Sequence, residues 1–151
     1  LIQRSKIRLL PKPQISAYRF RRYYGNEKEV GEAVRQSGVS RSEVFITTKI
    51  ISAAGSVDKT YDKLVESVDK IDGKDGYVDL FLIHTASGGS KNRKEMYLAL
   101  EKLLENGKTK SIGVSNWGIG HIEELKSFAK VYPPHVNQIE VCLHTCIVNI
   151  R

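Results

Sequence analysis

From residue 26 onward, apolar residues recur in two alternating periods. Val30, Ala33 and Val34 share one face of a helix running from Glu27 to Ser37. Phe45 to Ile50 is a short β-branched run that reads as a strand. Val57, Tyr61, Leu64, Val65, Val68 and Ile71 then return at steps of three and four, the stripe of an amphipathic helix, with Ser56 placed to cap it. Gly73 and Gly76 break the stripe, and Val78 to Ile83 is a nearly unbroken apolar strand. Tyr97, Leu100, Leu103 and Leu104 mark the buried side of a further helix stopped by Asn106-Gly107. Ser111 to Val114 is a brief strand. Ile119, Ile122, Leu125 and Phe128 stripe a last helix, ended by Pro133-Pro134, and Val136 to Leu143 is a final strand. One more strand is expected near Ile15 to Phe20.

Strands alternating with helices of this length predict an α/β fold, a parallel sheet covered by helices. The unbroken apolar strands fit burial on both faces. Periodicity does not separate an open doubly wound sheet from a closed barrel. No GxGxxG follows the first strand, which argues against a Rossmann nucleotide fold. Gly118-Ile119-Gly120 is followed by Glu123 where a third glycine would stand, and reads as a loop entering a helix.

Several strands close on polar side chains. Lys49 ends Phe45-Ile46-Thr47-Thr48-Lys49, and His84 ends Leu80-Phe81-Leu82-Ile83-His84. Ser115 and Asn116 follow Gly113-Val114, and Gln138 and Glu140 lie in the last strand. A lysine or histidine behind an apolar strand costs desolvation energy unless it is paired. One such residue is ordinarily a satisfied core group or a strand terminator. Repetition at successive strand ends is the signature of a barrel mouth, where all strand C-termini meet.

These residues, taken in order, carry a resemblance. Tyr24-Gly25-Asn26-Glu27, with Val30-Gly31 and Ala33 after it, resembles the segment that bears the catalytic tyrosine of the aldo-keto reductase family. Phe45 to Lys49 resembles the segment of its catalytic lysine, and Asp79 to His84 that of its catalytic histidine. Gly107-Lys108 through Ile112-Gly113-Val114-Ser115-Asn116-Trp117 is similar to the family's Gly-Lys…Ile-Gly-Val-Ser-Asn signature, and Asn137-Gln138-Ile139-Glu140 to a further strand. The resemblance implies an NADP(H)-dependent oxidoreductase that reduces aldehydes or ketones to alcohols. It implies Tyr24 as the general acid, with Tyr23 beside it as the neighbouring alternative. Lys49 would lower the tyrosine's pKa, and His84 would orient the substrate carbonyl. Ser115, Asn116 and Gln138 would hold the nicotinamide carboxamide. Trp117 is read as packing. The preference for NADPH over NADH comes from the family alone. The implied partner is a small carbonyl compound, with neither nucleic acid nor membrane, in the cytoplasm; the residues leave substrate identity and oligomeric state open.

Two departures qualify that reading. The family places an aspartate shortly before the tyrosine, paired with the lysine, whereas here Tyr18-Arg19-Phe20-Arg21-Arg22-Tyr23-Tyr24 is short and no acid precedes Glu27. A full barrel takes roughly 250 residues, so 151 residues predict a partial (β/α)8 barrel, about its second to sixth strands, not closed. Such a sheet is expected to expose strand edges and apolar faces. The alternative function is therefore a catalytically inactive relative that acts as a binding or regulatory protein. The expected organisation is a divergent basic segment over 1–14, the partial barrel over 15–144 and a divergent end over 145–151.

Composition changes this picture little. The chain is 40% hydrophobic and 27% charged, with no run approaching a membrane span. The net charge of +7 sits in the first 25 residues, where Arg4, Lys6, Arg8, Lys12, Arg19, Arg21 and Arg22 meet no acid; the remainder is neutral. No aromatic-basic reader motif accompanies that charge, so it predicts a solvated segment and not a nucleic-acid site. Cys142, His144 and Cys146 alternate at period two, the spacing that would put them on one side of a strand, but it matches no common zinc pattern, and no metal is expected.

Overall fold

The computed structural model describes residues 16–19 and 26–140. Five strands form one parallel sheet in sequential order: β1 Ser16–Arg19, β2 Val44–Ile50, β3 Leu80–Ile83, β4 Ile112–Ser115 and β5 Val136–Gln138. The helices α1 Glu27–Gln36, α2 Val57–Asp72, α3 Gly89–Glu105 and α4 Ile119–Glu124 fill the crossovers. Each strand pairs with its sequence neighbour, the order a barrel needs before closure. Among the described residues, β1 and β5 are the two edges of the sheet, which is not closed.

Alternation within the strands assigns the two faces. Val44, Ile46, Ile50, Phe81, Ile83, Ile112 and Val114 join the helices in one core with Leu64, Val68, Tyr97, Leu100 and Leu103. The predicted stripe of α2 is the one buried there, and the Ser56 hydroxyl accepts from Lys59 N at 3.3 Å as its cap. Gly31 lets α1 approach α2 closely, since a Cβ there would overlap the Ile71 carbonyl. The other face of the sheet carries Thr47, Lys49, Leu80, Leu82, Gly113 and Ser115.

The expected exposure of apolar faces is not found at the centre of this sheet: Leu82 is fully buried and Leu80 is 7% exposed. Leu82 lies over Gly113, its partner in register, where the bare backbone leaves it room. Phe45 at 36% exposure and Ile139 at 59% are the large apolar side chains most open to solvent on or next to the strands among the described residues.

Three predicted boundaries are corrected. The strand expected over Val78 to Ile83 begins at Leu80, because the Asp79 carboxylate intervenes. Its Oδ2 accepts from Ile46 N at 2.9 Å and pairs with Arg41, and its Oδ1 pairs with Lys110 at 3.2 Å. Of the expected strand Val136 to Leu143, the described residues are regular over Val136–Gln138 and leave the ladder at 139–140. There, Glu140 N donates to the Asn116 side chain at 2.9 Å instead of to a ladder carbonyl, and residues from 141 lie outside the described part. The helix expected over Ile119 to Phe128 is shorter, a six-residue α4 followed by a 3-10 turn at Leu125–Ser127. Its stripe is not buried as a unit: Leu125 is, whereas Ile119 is 82% exposed. Trp117 occupies the core just ahead of it. Among the described residues, no helix is long and apolar enough to cross a membrane.

Candidate active site

The C-terminal ends of β2 to β5 gather the residues singled out in the sequence. Lys49 is the penultimate residue of β2, 4% exposed, and its ammonium donates to Ser115 Oγ at 3.2 Å. Ser115, the last residue of β4, is 1% exposed and donates in turn to the Gln138 carbonyl at 2.9 Å. A buried ammonium is tolerable only with acceptors aimed at it, and this hydroxyl supplies one while donating its own hydrogen bond to the next strand.

His84 follows β3 directly, half-buried, its backbone N–H bonded to the Ile50 carbonyl at 2.8 Å. That bond extends the β2–β3 ladder by one residue and fixes the histidine two positions beyond Lys49 along the mouth, since Lys49 pairs with Leu82.

Asn116 adopts a left-handed backbone with φ of 58°, which asparagine tolerates better than most residues. The turn is held on both sides. Asn116 N donates to the Gln138 carbonyl at 2.9 Å, and the Asn116 carboxamide oxygen accepts from Glu140 N at 2.9 Å. Asn137 then bonds the Trp117 backbone reciprocally, donating from Nδ2 at 2.9 Å and accepting through Oδ1 at 3.4 Å. The strained turn thus presents Ser115 and Asn116 together. Gln138 closes β5, half-buried, and its side-chain carboxamide makes no hydrogen bond among the described residues.

The structure therefore brings Lys49, Ser115, Asn116 and Gln138 into one hydrogen-bonded neighbourhood, with His84 on the strand between Lys49 and Ser115. Tyr24 and its neighbour Tyr23 lie outside the described residues, as do Cys142, His144 and Cys146. Trp117 is 3% exposed within the core and meets His121 edge-on at 6.1 Å between ring centres, the packing role expected of it.

Two supports went unread in the sequence. Glu27 opens α1 and is buried, accepting from Thr48 Oγ1 at 3.3 Å beside Lys49. Asn137 holds the Asn116 turn. An acid at a buried helix start could have flagged Glu27; nothing in the pattern marks Asn137, whose role depends on a turn twenty residues earlier.

Comparison with known proteins matches residues 19–148 to the model of the Aldo/keto reductase family. The chain is 39% identical over 117 residues to glyoxal reductase of Bacillus subtilis, covering 78% of this chain and 41% of that protein. It is 38% identical over 122 residues to morphine 6-dehydrogenase of Pseudomonas putida, covering 80% and 40%. Among solved structures, an aldo-keto reductase from a Medee basin deep-sea metagenome library superposes with a TM-score of 0.75 at 41% identity, over 83% of this chain and 44% of that one. A Bombyx mori aldo-keto reductase in complex with NADP superposes with a TM-score of 0.69 at 32% identity, over 83% and 43%. The chain thus spans about two fifths of the length of these relatives.

Proposed function

We infer that this chain, which belongs to the aldo/keto reductase family, binds NADP(H) and reduces small aldehydes or ketones to alcohols. The observation that carries this reading is the convergence of Lys49, His84, Ser115, Asn116 and Gln138 at the C-terminal ends of consecutive parallel strands, the end at which barrel enzymes work. The name of the Bacillus subtilis relative, glyoxal reductase, and the NADP held by the Bombyx mori structure support it.

The donor set fits the cofactor. A nicotinamide carboxamide donates two N–H bonds and accepts through its carbonyl oxygen, so it needs two acceptors and a donor, and the Ser115 hydroxyl with the Asn116 and Gln138 amides offers both kinds. When bound, NADPH would supply the hydride that reduces the carbonyl carbon. Tyr24 gives its phenolic proton to the carbonyl oxygen, completing the alcohol. A phenol of ordinary pKa ~10 is a weak donor at neutral pH, and the Lys49 ammonium stabilises the phenolate left behind. His84 orients the carbonyl from the neighbouring strand end.

One feature favours the second reading, a relative that binds without turning over. No aspartate or glutamate precedes Glu27, so the carboxylate that pairs with the family's lysine has no counterpart in the matching stretch, and Tyr24 acidity rests on Lys49 without it.

Fluorescence titration of the purified chain with NADPH, followed by addition of a generic aldehyde and absorbance at the NADPH band, separates the two. Saturable binding with aldehyde-dependent oxidation, lost in K49M, supports reduction. Binding without oxidation supports the second reading, and a folded chain that does not bind rejects both as NADP(H) proteins.

A further inference from the structure

Glu95 lies in the second turn of α3 and is buried, 7% exposed. One of its carboxylate oxygens, Oε1, accepts three hydrogen bonds: from Ala54 N at 3.0 Å, Gly55 N at 2.9 Å and Thr60 Oγ1 at 2.6 Å. Ala54 N also reaches Thr60 Oγ1 at 2.8 Å, closing the network. Charge-assisted bonds of this kind are about twice as strong as neutral ones. A glutamate that only joined α2 to α3 would need the Thr60 contact alone. Here two of three donors are backbone amides of exposed residues in the loop 51–56, which leaves β2 directly after Lys49 and Ile50.

The same helix acts on the next loop. Arg93, half a turn earlier, donates to the Ala86 carbonyl at 2.9 Å, in the loop that follows His84. Its Nε and Nη2 hold Glu124 of α4 at 2.8 and 2.7 Å. The opening turns of α3 therefore tie down the segments that follow both Lys49 and His84.

We propose that Glu95 is a positioning residue for carbonyl reduction, fixing the loop 51–56 as a preformed wall of the mouth above Lys49 and His84. This rests on the reduction reading. A wall held in place before substrate arrives lowers the cost of orienting the carbonyl, whereas a loose one must be ordered at each binding event. Glu95 touches neither cofactor nor reacting atoms; it acts through the backbone of Ala54 and Gly55.

The test uses the full chain with E95A and E95Q, comparing residue-resolved amide hydrogen exchange, NADPH affinity, and KM and kcat for a generic aldehyde. In E95A, exchange at Ala54 and Gly55 should accelerate about tenfold or more while the Ile83 amide in the core is unchanged. KM should rise about fivefold with kcat and NADPH affinity held within about twofold. E95Q keeps an acceptor oxygen in place and should restore most of both losses, while the unchanged Ile83 exchange in E95A excludes a general loss of packing. Unchanged exchange at Ala54 and Gly55 in E95A, or a KM equal to that of the unaltered chain, overturns the proposal. Should the unaltered chain not turn over aldehyde at all, the reduction reading falls by itself. The clamp then stands if exchange at the two amides accelerates and is rejected if it does not.

Discussion

The Lys49 ammonium donates to Ser115 Oγ at 3.2 Å, joining the ends of two strands that are not neighbours, with β3 lying between them. Ser115 donates its own hydroxyl hydrogen bond to the Gln138 carbonyl at 2.9 Å. One hydroxyl thus connects the lysine side of the site to the amide side, so the two halves of the site are not independent.

Replacing Ser115 by alanine removes an acceptor from a buried ammonium and a donor from the β4–β5 junction. The expected cost is roughly 1–2 kcal/mol of stability, read from urea unfolding, together with weaker NADPH binding by fluorescence titration. A variant with unaltered NADPH affinity would separate Ser115 from the amide-binding half of the site.

Gly113 should tolerate no side chain. A Cβ there would overlap the Val136 carbonyl and crowd Leu82 Cδ2 at 2.8 Å. Gly113→Ala must push β5 away from β4, carrying Gln138 off its register with Ser115. Overpacking of this sort costs about 2 kcal/mol or more, and the thermal midpoint should fall while NADPH affinity falls with it.

Tyr97 provides an alkaline signature. Its hydroxyl donates to the Val131 carbonyl at 2.7 Å, and burial, with the nearby Glu101 carboxylate adding to it, pushes the phenol well above its usual pKa. The raised folded value means the fold holds the proton more tightly than the unfolded chain does. The stabilisation is therefore full below the unfolded phenol's pKa of about 10 and is lost as pH rises beyond it. Tyr97→Phe should cost about 1 kcal/mol at neutral pH, and its unfolding midpoint should converge on that of the unaltered chain above pH ~10. Parallel curves across that range would show that the phenol ionises as freely in the fold as out of it.

Glu124 provides the acid counterpart. Its carboxyl is held below the usual range first by the Ser90 hydroxyl bond and then by Arg93. A depressed folded value gives stability that is present above the ordinary glutamate pKa of about 4.3 and lost as pH falls through the folded value. The difference in thermal midpoint between the unaltered chain and Glu124→Gln should be largest near neutrality and vanish on acidification. A difference that persists at low pH would assign the effect to packing and not to charge.

Much of the fold was legible in the sequence because its signals are local. The stripe Leu64, Val68, Ile71 repeats at helical spacing and is buried as such, capped where Ser56 stands. Apolar strands spaced by helices imply parallel pairing, since a short turn cannot return a chain to a parallel neighbour. The positions of Lys49, His84, Ser115, Asn116 and Gln138 at strand ends were likewise readable, because a polar residue closing an apolar run marks where the strand leaves the core.

What needed the tertiary structure was every relation between segments distant in the chain. The sequence expected the Ile119 stripe to bury, but Trp117 fills the core ahead of it and Ile119 faces solvent at 82% exposure. It expected the last strand to run unbroken past Gln138, but Asn116 captures Glu140 N in place of a ladder carbonyl. Nor could it show Lys49 meeting Ser115 across β3, or Glu95 bonding amides forty residues away. Periodicity records which side of an element faces the core. Which side chain meets which across that core is set by strand register and by the competition among neighbours for the same space and the same hydrogen-bond donors, and these exist only once the elements have packed.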